Sequence, residues 1–237
     1  GEVVSNFQQI YTNYIMKLSD YKNFIKLFPT ENSGYKIKKQ NWLGTDQAKL
    51  IEEIFDNKTE IILTKEKIKK ETDLKLFIIK TLMWGYPTKG RGNNINNLLK
   101  ESELKKIIFL FTTYKKLKNV IFNQLIEDFK EYNIKGLGIS TLSKFLHLLE
   151  IKVENYEAII LDDRIINILN ENEFDELQNL KNISREYSLR KVKATTNYLE
   201  YLKNLNTLAK KLDTKSENIE MFLFFFGKAL FVFNFFC

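Results

Sequence analysis

The stretch that decides the fold runs from Ile134 to Leu169. Residues 134–149 read Ile-Lys-Gly-Leu-Gly-Ile-Ser-Thr-Leu-Ser-Lys-Phe-Leu-His-Leu-Leu, and residues 158–169 read Ala-Ile-Ile-Leu-Asp-Asp-Arg-Ile-Ile-Asn-Ile-Leu. Apolar residues recur at helical spacing on both sides of Gly136-Leu137-Gly138, which predicts a tight turn between two helices. A third helix is predicted to begin at Asp162 and Asp163.

The predicted turn has the physical features of an anion site. The helix after Gly138 leaves its first amide N–H groups unpaired, and the positive end of its dipole points out of the turn. Lys135 before the turn and Lys144 after it add positive charge. The pattern hydrophobic-x-Gly-hydrophobic-Gly is typical of a helix-hairpin-helix, which holds the DNA backbone without reading bases.

The composition limits the classes of function. The 237 residues have a formal net charge of +7, which favours a polyanionic partner such as nucleic acid. Because Cys237 is the single cysteine and His147 the single histidine, Cys-based and His-rich metal sites are excluded. We expect no metal and no cofactor. The N-terminus lacks the pattern of a signal peptide, so we expect a cytoplasmic location, with nucleoid association in a bacterium.

We predict an all-α fold with a small N-terminal β element. Only two prolines interrupt the chain, so long helices are permitted almost everywhere. Ile61-Ile62-Leu63 is the most strand-like stretch, and Thr64 is predicted to cap the helix that follows it. Residues 1–90 are predicted to form an N-terminal helical region that contributes to one lobe. Residues 91–237 are predicted to hold the hairpin and the C-terminal helices.

Helical periodicity predicts three further segments and a buried C-terminal helix. The segments are Val3–Phe28, Glu101–Tyr132 with a break near Lys118-Asn119, and Ser184–Leu212, which starts with a basic run of Arg185, Arg190, Lys191 and Lys193. Thr214-Lys-Ser-Glu217 has the pattern of a capping box. The apolar run from Met221 is shorter than the roughly 20 residues that span a membrane, so we expect no membrane segment.

A glycine-rich loop between residues 85 and 94 is the clearest loop in the chain. Its spacing is similar to that of a phosphate-binding loop, but Arg91 replaces the phosphate lysine and Gly92 replaces the Ser or Thr that binds magnesium. We interpret it as a flexible basic loop that could contact a DNA backbone through Lys89 and Arg91. Trp84 and Tyr86, beside the loop, are candidates for stacking on a base.

Asp162 follows soon after the second predicted hairpin helix. With an aspartate at this spacing from the turn, the sequence resembles the helix-hairpin-helix DNA glycosylase superfamily between about residues 124 and 170. That family has a Leu-Pro-Gly-Val-Gly hairpin followed by an apolar-Asp-x-(His/Arg/Asn)-apolar motif. Gly136 and Gly138 match the hairpin glycines. The resemblance implies a two-lobed helical fold, a catalytic Asp162, and DNA contacts from the hairpin and Arg164. A shift of one residue in register would select Asp163 instead.

The residue at the nucleophile position narrows the expected reaction. Bifunctional members of the family carry a lysine two residues after the second hairpin glycine, where this chain has Ser140, as adenine glycosylases do. We therefore expect a mainly monofunctional enzyme without strong lyase activity. Lys144, one helical turn beyond, is the nearby lysine that could act as a substitute nucleophile. The stretch Ser143-Lys144-Phe145-Leu146 is similar to the Ser-His-Phe-Leu of small 8-oxoguanine glycosylases.

The resemblance implies base excision from double-stranded DNA by a monomeric protein. The damaged base, an oxidised purine such as 8-oxoguanine, would be flipped out of the stack, and the Asp162 carboxylate would stabilise the cationic sugar as the base departs. The alternative is a non-catalytic DNA-binding protein that keeps only the hairpin. Retention of the Leu161-Asp162-Asp163-Arg164 motif favours the enzyme.

Overall fold

The computed structural model describes residues 15–31, 33–90, 92–171, 174–181, 183 and 192–230. These residues are mostly helical, which confirms the helical class. They also form two small sheets, of which the prediction included only the N-terminal one. The two-lobed arrangement and the boundary near residue 90 stay predictions. Of the helix predicted over Val3–Phe28, residues 3–14 lie outside the described residues.

The N-terminal part combines short helices with the predicted β element. A 3₁₀ turn at Leu18–Tyr21 leads into α1 at Lys22–Leu27. Strand β1 at Gly34–Lys38 pairs antiparallel with β2 at Glu60–Thr64 in the register Lys36↔Ile62. A 3₁₀ turn at Lys39–Asn41 and helix α2 at Ala48–Phe55 lie between these strands. The strand predicted at residues 61–63 is confirmed.

Helices α3 to α6 follow the first sheet. They span Lys65–Lys69, Leu74–Gly85, Asn94–Leu98 and Glu101–Leu117. The Thr64 hydroxyl accepts a 3.2 Å hydrogen bond from the Lys67 amide, so the predicted cap is confirmed. The predicted break near Lys118 is also confirmed, because Lys118 has a left-handed backbone with φ of 58° and ends α6.

The second sheet was not predicted. Strand β3 at Asn119–Val120 pairs parallel with β4 at Lys152–Val153, which pairs antiparallel with β5 at Tyr156–Glu157. Two-residue strands are too short to leave an alternating pattern, so periodicity cannot reveal them. This sheet joins the residues before the hairpin to the connector after it.

The hairpin helices and the helix after them complete the central part. They are α7 at Phe122–Tyr132, α8 at Ile139–Leu148 and α9 at Asp163–Glu171. Leu142, Phe145 and Leu146 of α8 are fully buried, and α8 contacts α3 and α4. A single hydrophobic cluster extends from Met16 to Leu223. The second hairpin helix therefore lies in the core, and its N-terminal end is fixed by the packing around it.

The C-terminal part contains a 3₁₀ helix at Asp175–Leu180, α10 at Val192–Leu212, α11 at Ser216–Phe222 and a π-helical turn at Leu223–Gly227. Residues 184–191 and the side chain of Lys193, which hold the predicted basic run, lie outside what the structure describes. The predicted capping box is wrong, because Lys215 precedes α11 and makes no side-chain cap. Within the described residues, every helix is too short or too polar to cross a membrane.

Candidate active site

The hairpin turn, residues 133–138, requires glycine at position 136. Gly136 has φ of 86°, and a Cβ atom there would lie 2.5 Å from the Asn94 carbonyl oxygen. The turn is therefore pressed against the start of α5. Gly138 precedes α8 in an extended conformation, with φ of −112°. The first amides of α8 have no partner inside the helix.

The carboxylate of Glu103 holds the turn in place by a hydrogen bond to its backbone. Glu103 accepts a 2.9 Å hydrogen bond from the Lys135 amide and a 3.0 Å hydrogen bond from the Lys106 amine. Burial opposes ionisation of Glu103, but these two donors lower its pKa below the usual value. Because the Lys135 amide is already bound, Lys135 can offer a phosphate its exposed side chain and not its backbone.

Lys144, predicted to contact DNA, lies inside the protein and not on its surface. Its side chain is 5% exposed, and its amine donates hydrogen bonds of 2.8 Å to the Ser140 hydroxyl and 3.3 Å to the Ser140 carbonyl. The amine also lies 5.2 Å from the centre of the Tyr86 ring. A Cβ atom at Gly85 would lie 2.8 Å from the Lys144 Cδ atom, so Gly85 makes room for this side chain.

Asp162 caps helix α9. Its Oδ1 atom accepts hydrogen bonds of 3.1 Å from the amides of Arg164 and Ile165. Oδ1 is thereby occupied and oriented, whereas Oδ2 accepts no hydrogen bond within the described residues and is the oxygen available to a substrate. The cap also holds the carboxylate at the positive end of the α9 dipole.

The segment before Asp162 is attached to the rest of the protein at three points. The Leu161 amide donates a 3.0 Å hydrogen bond to the Ser143 hydroxyl of α8. The hydroxyls of Tyr198 and Tyr201 on α10 donate to the carbonyls of Ile159 and Ile160, at 3.1 Å and 2.9 Å. These bonds fix Asp162 relative to the hairpin helix, although 18 residues separate Ser143 from Leu161.

A cavity of about 200 Å³ joins these elements. Aromatic and apolar groups provide most of its wall, and charged groups are set among them. The lining residues that matter for chemistry are Tyr35, Trp84, Lys144, Asp162, Glu220 and Phe224. An apolar cavity of about 150 Å³ accepts benzene. This cavity is therefore of the size class that holds a flat heterocycle.

A buried ion network supports one wall of the cavity. The Lys65 amine, which is fully buried, donates a 2.7 Å hydrogen bond to Glu217, and the same Glu217 oxygen lies 3.1 Å from His147 Nε2. His147 Nδ1 donates to the Ala158 carbonyl at 2.8 Å. Burial opposes the charge on Glu217, but His147 and Lys65 hold its pKa well below the usual range. The Lys65 amine lies 5.7 Å from the Trp84 ring centre.

Glu220 is the second acidic group in the cavity wall. It is 3% exposed, and its Oε2 atom has no hydrogen-bond partner within the described residues. Burial raises its pKa to about 8; the positive charge of Lys65 opposes this, and the negative charge of Asp162 adds to it. Two carboxyl groups with different environments, one half-buried and capping a helix and the other buried, therefore share one cavity.

Comparison with known proteins places these residues in a family. Residues 55–224 match the model of a family described as "Putative 8-oxoguanine DNA glycosylase OGG-like protein". The chain belongs to this OGG family. The matched range contains the hairpin and most of the cavity wall, whereas Tyr35 precedes it. No curated protein and no solved structure matches the chain.

The structure brings together some of the residues that the sequence singled out. Asp162, Lys144 and Trp84 line the same cavity. Asp163 is exposed in the first turn of α9, outside the cavity wall. Trp84 is 5% exposed, and its indole N–H donates to the Ser33 carbonyl at 3.1 Å, so it can form a wall but is not a free platform.

Two of the other predicted DNA contacts, Tyr86 and Arg164, lie against residues of the cavity wall. Tyr86 is half-buried, and its hydroxyl lies 2.7 Å from the Thr141 hydroxyl and 3.3 Å from that of Ser140, so Tyr86 holds α8 and Lys144. Arg164 is exposed, with its guanidinium 4.8 Å from the Phe224 ring centre. Lys89 is half-buried, and Arg91 lies outside the described residues.

Sequence reasoning missed Tyr35, Lys65, Glu220 and Phe224 as cavity residues. One signal was available for Glu220. It is an acidic residue at the edge of the apolar run that starts at Met221, and a charge there predicts either a buried partner or a function. The other three residues carry no local pattern, because only tertiary packing brings them to the cavity.

Within the described residues, no group of His, Cys, Asp and Glu could hold a metal ion.

Proposed function

We propose that the protein is a DNA N-glycosylase that removes an oxidised purine of the 8-oxoguanine type from double-stranded DNA. The observation that carries this proposal is the position of Asp162. Its carboxylate caps helix α9 and lines a cavity of about 200 Å³ with aromatic walls. Family membership supports the same activity. The target nucleotide would rotate out of the duplex and place its base between Trp84 and Phe224.

Asp162 is the proposed catalytic residue. As the bond between C1′ and the base breaks, positive charge develops on the sugar, and a fixed carboxylate stabilises it without having to reorganise. The Oδ2 atom would face this charge, while Oδ1 stays bound to the amides of Arg164 and Ile165. A water molecule held by the same carboxylate would add to C1′, and the proton it loses would neutralise the base, which leaves with the electron pair of the broken bond.

The proposed reaction releases the base with little strand cleavage. Ser140 occupies the nucleophile position, and a hydroxyl cannot form a Schiff base with the sugar. The Lys144 amine donates to Ser140 and lies over the Tyr86 ring, so these contacts already hold it in place. Lys144 would thus supply positive charge beside the departing base.

The proposed DNA contacts lie at the hairpin turn and on the surface next to the cavity. The free amides at the start of α8 and the side chain of Lys135 would bind a phosphate. Arg164 and Lys89 would add contacts to the strand on either side. These groups position the duplex and do not select its sequence, which suits an enzyme that must find a lesion in any sequence.

The test is base release from a panel of duplexes that each contain one modified base. We expect wild-type protein to leave an abasic site in the duplex with 8-oxoguanine, detected as alkali-dependent cleavage. If no duplex in the panel loses its base while all of them are bound, the protein is the non-catalytic DNA-binding protein of the alternative hypothesis.

A further inference from the structure

The segment that leads into Asp162 is held by side chains and not by a helix or a sheet. Residues 158–162 lie between β5 and α9 and belong to neither. The three residues directly before Asp162 are bound by side chains of α8 and α10. The Ala158 carbonyl, the first in this segment, accepts a 2.8 Å hydrogen bond from His147 of α8. The position of Asp162 therefore depends in part on this histidine.

Both ring nitrogens of His147 face hydrogen-bond acceptors. His147 is 8% exposed, with Nδ1 at 2.8 Å from the Ala158 carbonyl and Nε2 at 3.1 Å from a Glu217 carboxyl oxygen. Burial raises the pKa of Glu217, but His147 and Lys65 lower it well below the usual range, so this group is a carboxylate. A carbonyl and a carboxylate can only accept. The arrangement therefore uses the imidazolium form, which has two N–H donors.

Loss of one proton forces His147 to choose between its two partners. A hydrogen bond to a charged acceptor is roughly twice as strong as one to a neutral acceptor. The remaining proton therefore stays on Nε2, which faces Glu217, and Nδ1 becomes an acceptor. Nδ1 and the Ala158 carbonyl then repel each other, and residues 158–162 lose one of the bonds that hold them.

We propose that His147 is the positioning residue for the catalytic carboxylate: its imidazolium form holds the Ala158 carbonyl and thereby keeps Asp162 at the cavity. The inference rests on the proposed function, because it assumes that Asp162 stabilises the cationic sugar. It adds a regulation of the same site, since base release then decreases as His147 loses its proton. His147 does not line the cavity, so it acts through the backbone and not on the base.

Several ionisable groups surround this pair, and one of them needs its own control. The groups that interact with Glu217 or with residues 158–160, besides His147, are Lys65 and Lys69 of α3, Glu220 of α11, and Tyr198 and Tyr201 of α10. Burial raises the pKa of Glu220 to about 8, and its charge acts on Asp162. Any pH dependence of the rate is therefore measured in Glu220→Gln protein as well.

Two substitutions separate the two hydrogen bonds of His147. The amide nitrogen of asparagine is at the δ position, as Nδ1 is, and that of glutamine is at the ε position, as Nε2 is. His147→Asn therefore keeps the donor to the Ala158 carbonyl and loses the donor to Glu217, whereas His147→Gln does the reverse. Both variants are uncharged at this position, so each is the matched control of the other.

The test measures single-turnover release of 8-oxoguanine from a duplex by the two full-length variants. We expect His147→Gln to be roughly 10- to 100-fold slower than His147→Asn, because a small displacement of a catalytic group has an effect of this size. Their affinities for an undamaged duplex should be similar. Equal rates, or faster release by His147→Gln, overturn the proposal, because a purely structural role through Glu217 favours the variant that keeps that bond.

If either variant does not fold, the wild-type protein supplies the test. The chain has one histidine, so protein with ¹⁵N-labelled histidine gives one pair of ring signals and a direct titration of His147. We expect the rate of base release to fall with the same midpoint as this titration, in wild-type and in Glu220→Gln protein. A rate that does not follow the titration of His147 overturns the proposal.

Failure of the inference and failure of the proposed function give different results. If wild-type protein releases 8-oxoguanine but the two variants are equally fast, the inference is wrong and the glycosylase activity stands. The Ile159 amide shares a peptide group with the Ala158 carbonyl, so its ¹⁵N signal reports the hydrogen bond without any reaction. If this signal follows the titration of His147 but no base is released, the positioning contact stands and the proposed function is wrong.

Discussion

The amine of Lys144 donates a 2.8 Å hydrogen bond to the hydroxyl of Ser140, one helical turn earlier on α8. A serine therefore stands where a Schiff-base lysine is expected, and the nearest lysine is held by that serine. We propose that this pair prevents strand cleavage, because an amine held by hydrogen bonds to Ser140 is not free to attack C1′.

The first prediction concerns covalent trapping. With borohydride present during reaction on an 8-oxoguanine duplex, we expect no protein–DNA adduct and an abasic strand that stays intact until alkali is added. Lys144→Met should keep DNA binding and lower the rate of base release, because it removes positive charge beside the departing base. The matched control is Lys70→Met, which removes an exposed lysine outside the cavity wall and leaves the cavity intact. An adduct that disappears in Lys144→Met would show that Lys144 is a nucleophile.

The second prediction concerns the hairpin turn. Gly136→Ala should destabilise the protein and weaken DNA binding, because the added Cβ would lie 2.5 Å from the Asn94 carbonyl oxygen at a φ of 86°. Gly44→Ala is the matched control, since Gly44 has φ of 76° and nothing within 4 Å of the added Cβ. We expect Gly44→Ala to cost about 1 kcal/mol of unfolding free energy and Gly136→Ala clearly more. Equal losses in denaturant titrations would contradict this account of the turn.

The third prediction concerns the buried ion network. Lys65→Met should lower the free energy of unfolding by about 3–5 kcal/mol, because it removes one partner of a buried pair. The control is Lys70→Met, which removes a lysine whose side chain is 73% exposed in its pair with Glu66. It should change the free energy of unfolding by about 0.5 kcal/mol or less. Urea unfolding of both variants measures the difference, and a loss below 1 kcal/mol for Lys65→Met, roughly that of an exposed pair, would show that the network contributes little.

The same network predicts sensitivity to acid. Glu217 has a pKa lowered from 4.5, against the effect of burial, by His147 and Lys65. Its stabilisation is therefore complete above about pH 4.5 and is lost as pH falls below that value, where the unfolded chain binds a proton and the folded protein does not. Lys65→Met should reduce this acid dependence in unfolding measured between pH 5 and 3.

The fourth prediction concerns stability between pH 5 and 8. Glu220 has a pKa raised from 4.5 to about 8, so in this range the folded protein holds a proton that the unfolded chain has lost. The free energy of unfolding should therefore decrease as pH rises, by at most about 1.4 kcal/mol per pH unit from this group. Glu220→Gln, which cannot ionise, should remove this decrease. A pH dependence that is the same in both proteins would mean that Glu220 ionises normally.

Local signals in the sequence predicted the elements that local interactions determine. The strand at Ile61-Ile62-Leu63, the Thr64 cap and the end of α6 at Lys118 each depend on a few neighbouring residues, and the structure confirms them. The second sheet pairs Asn119 with Lys152, and no local pattern encodes a pairing over that separation.

The residues of the candidate site also fall into two groups, those that a local sequence pattern predicts and those that only folding brings together. Asp162 and the hairpin glycines were predicted from their spacing in one stretch of sequence, and the structure places Asp162 in the cavity wall and Gly136 in a turn that requires glycine. Glu217 was assigned to a capping box because its local pattern fits one, but the buried amine of Lys65, distant in sequence, binds its carboxylate instead. The inner end of the cavity, with Glu220 and Phe224, comes from the last part of the described chain and meets the hairpin helix only in the folded protein.

The central claim is that the carboxylate of Asp162 removes the base. Single-turnover release of 8-oxoguanine from a duplex tests it most directly, with Asp163→Asn as the matched control one residue away. We expect Asp162→Asn to slow release by at least about 100-fold while keeping DNA affinity and the helix cap, and Asp163→Asn to change the rate by no more than about threefold. Release at the wild-type rate by Asp162→Asn, or loss of release in Asp163→Asn alone, would contradict the account.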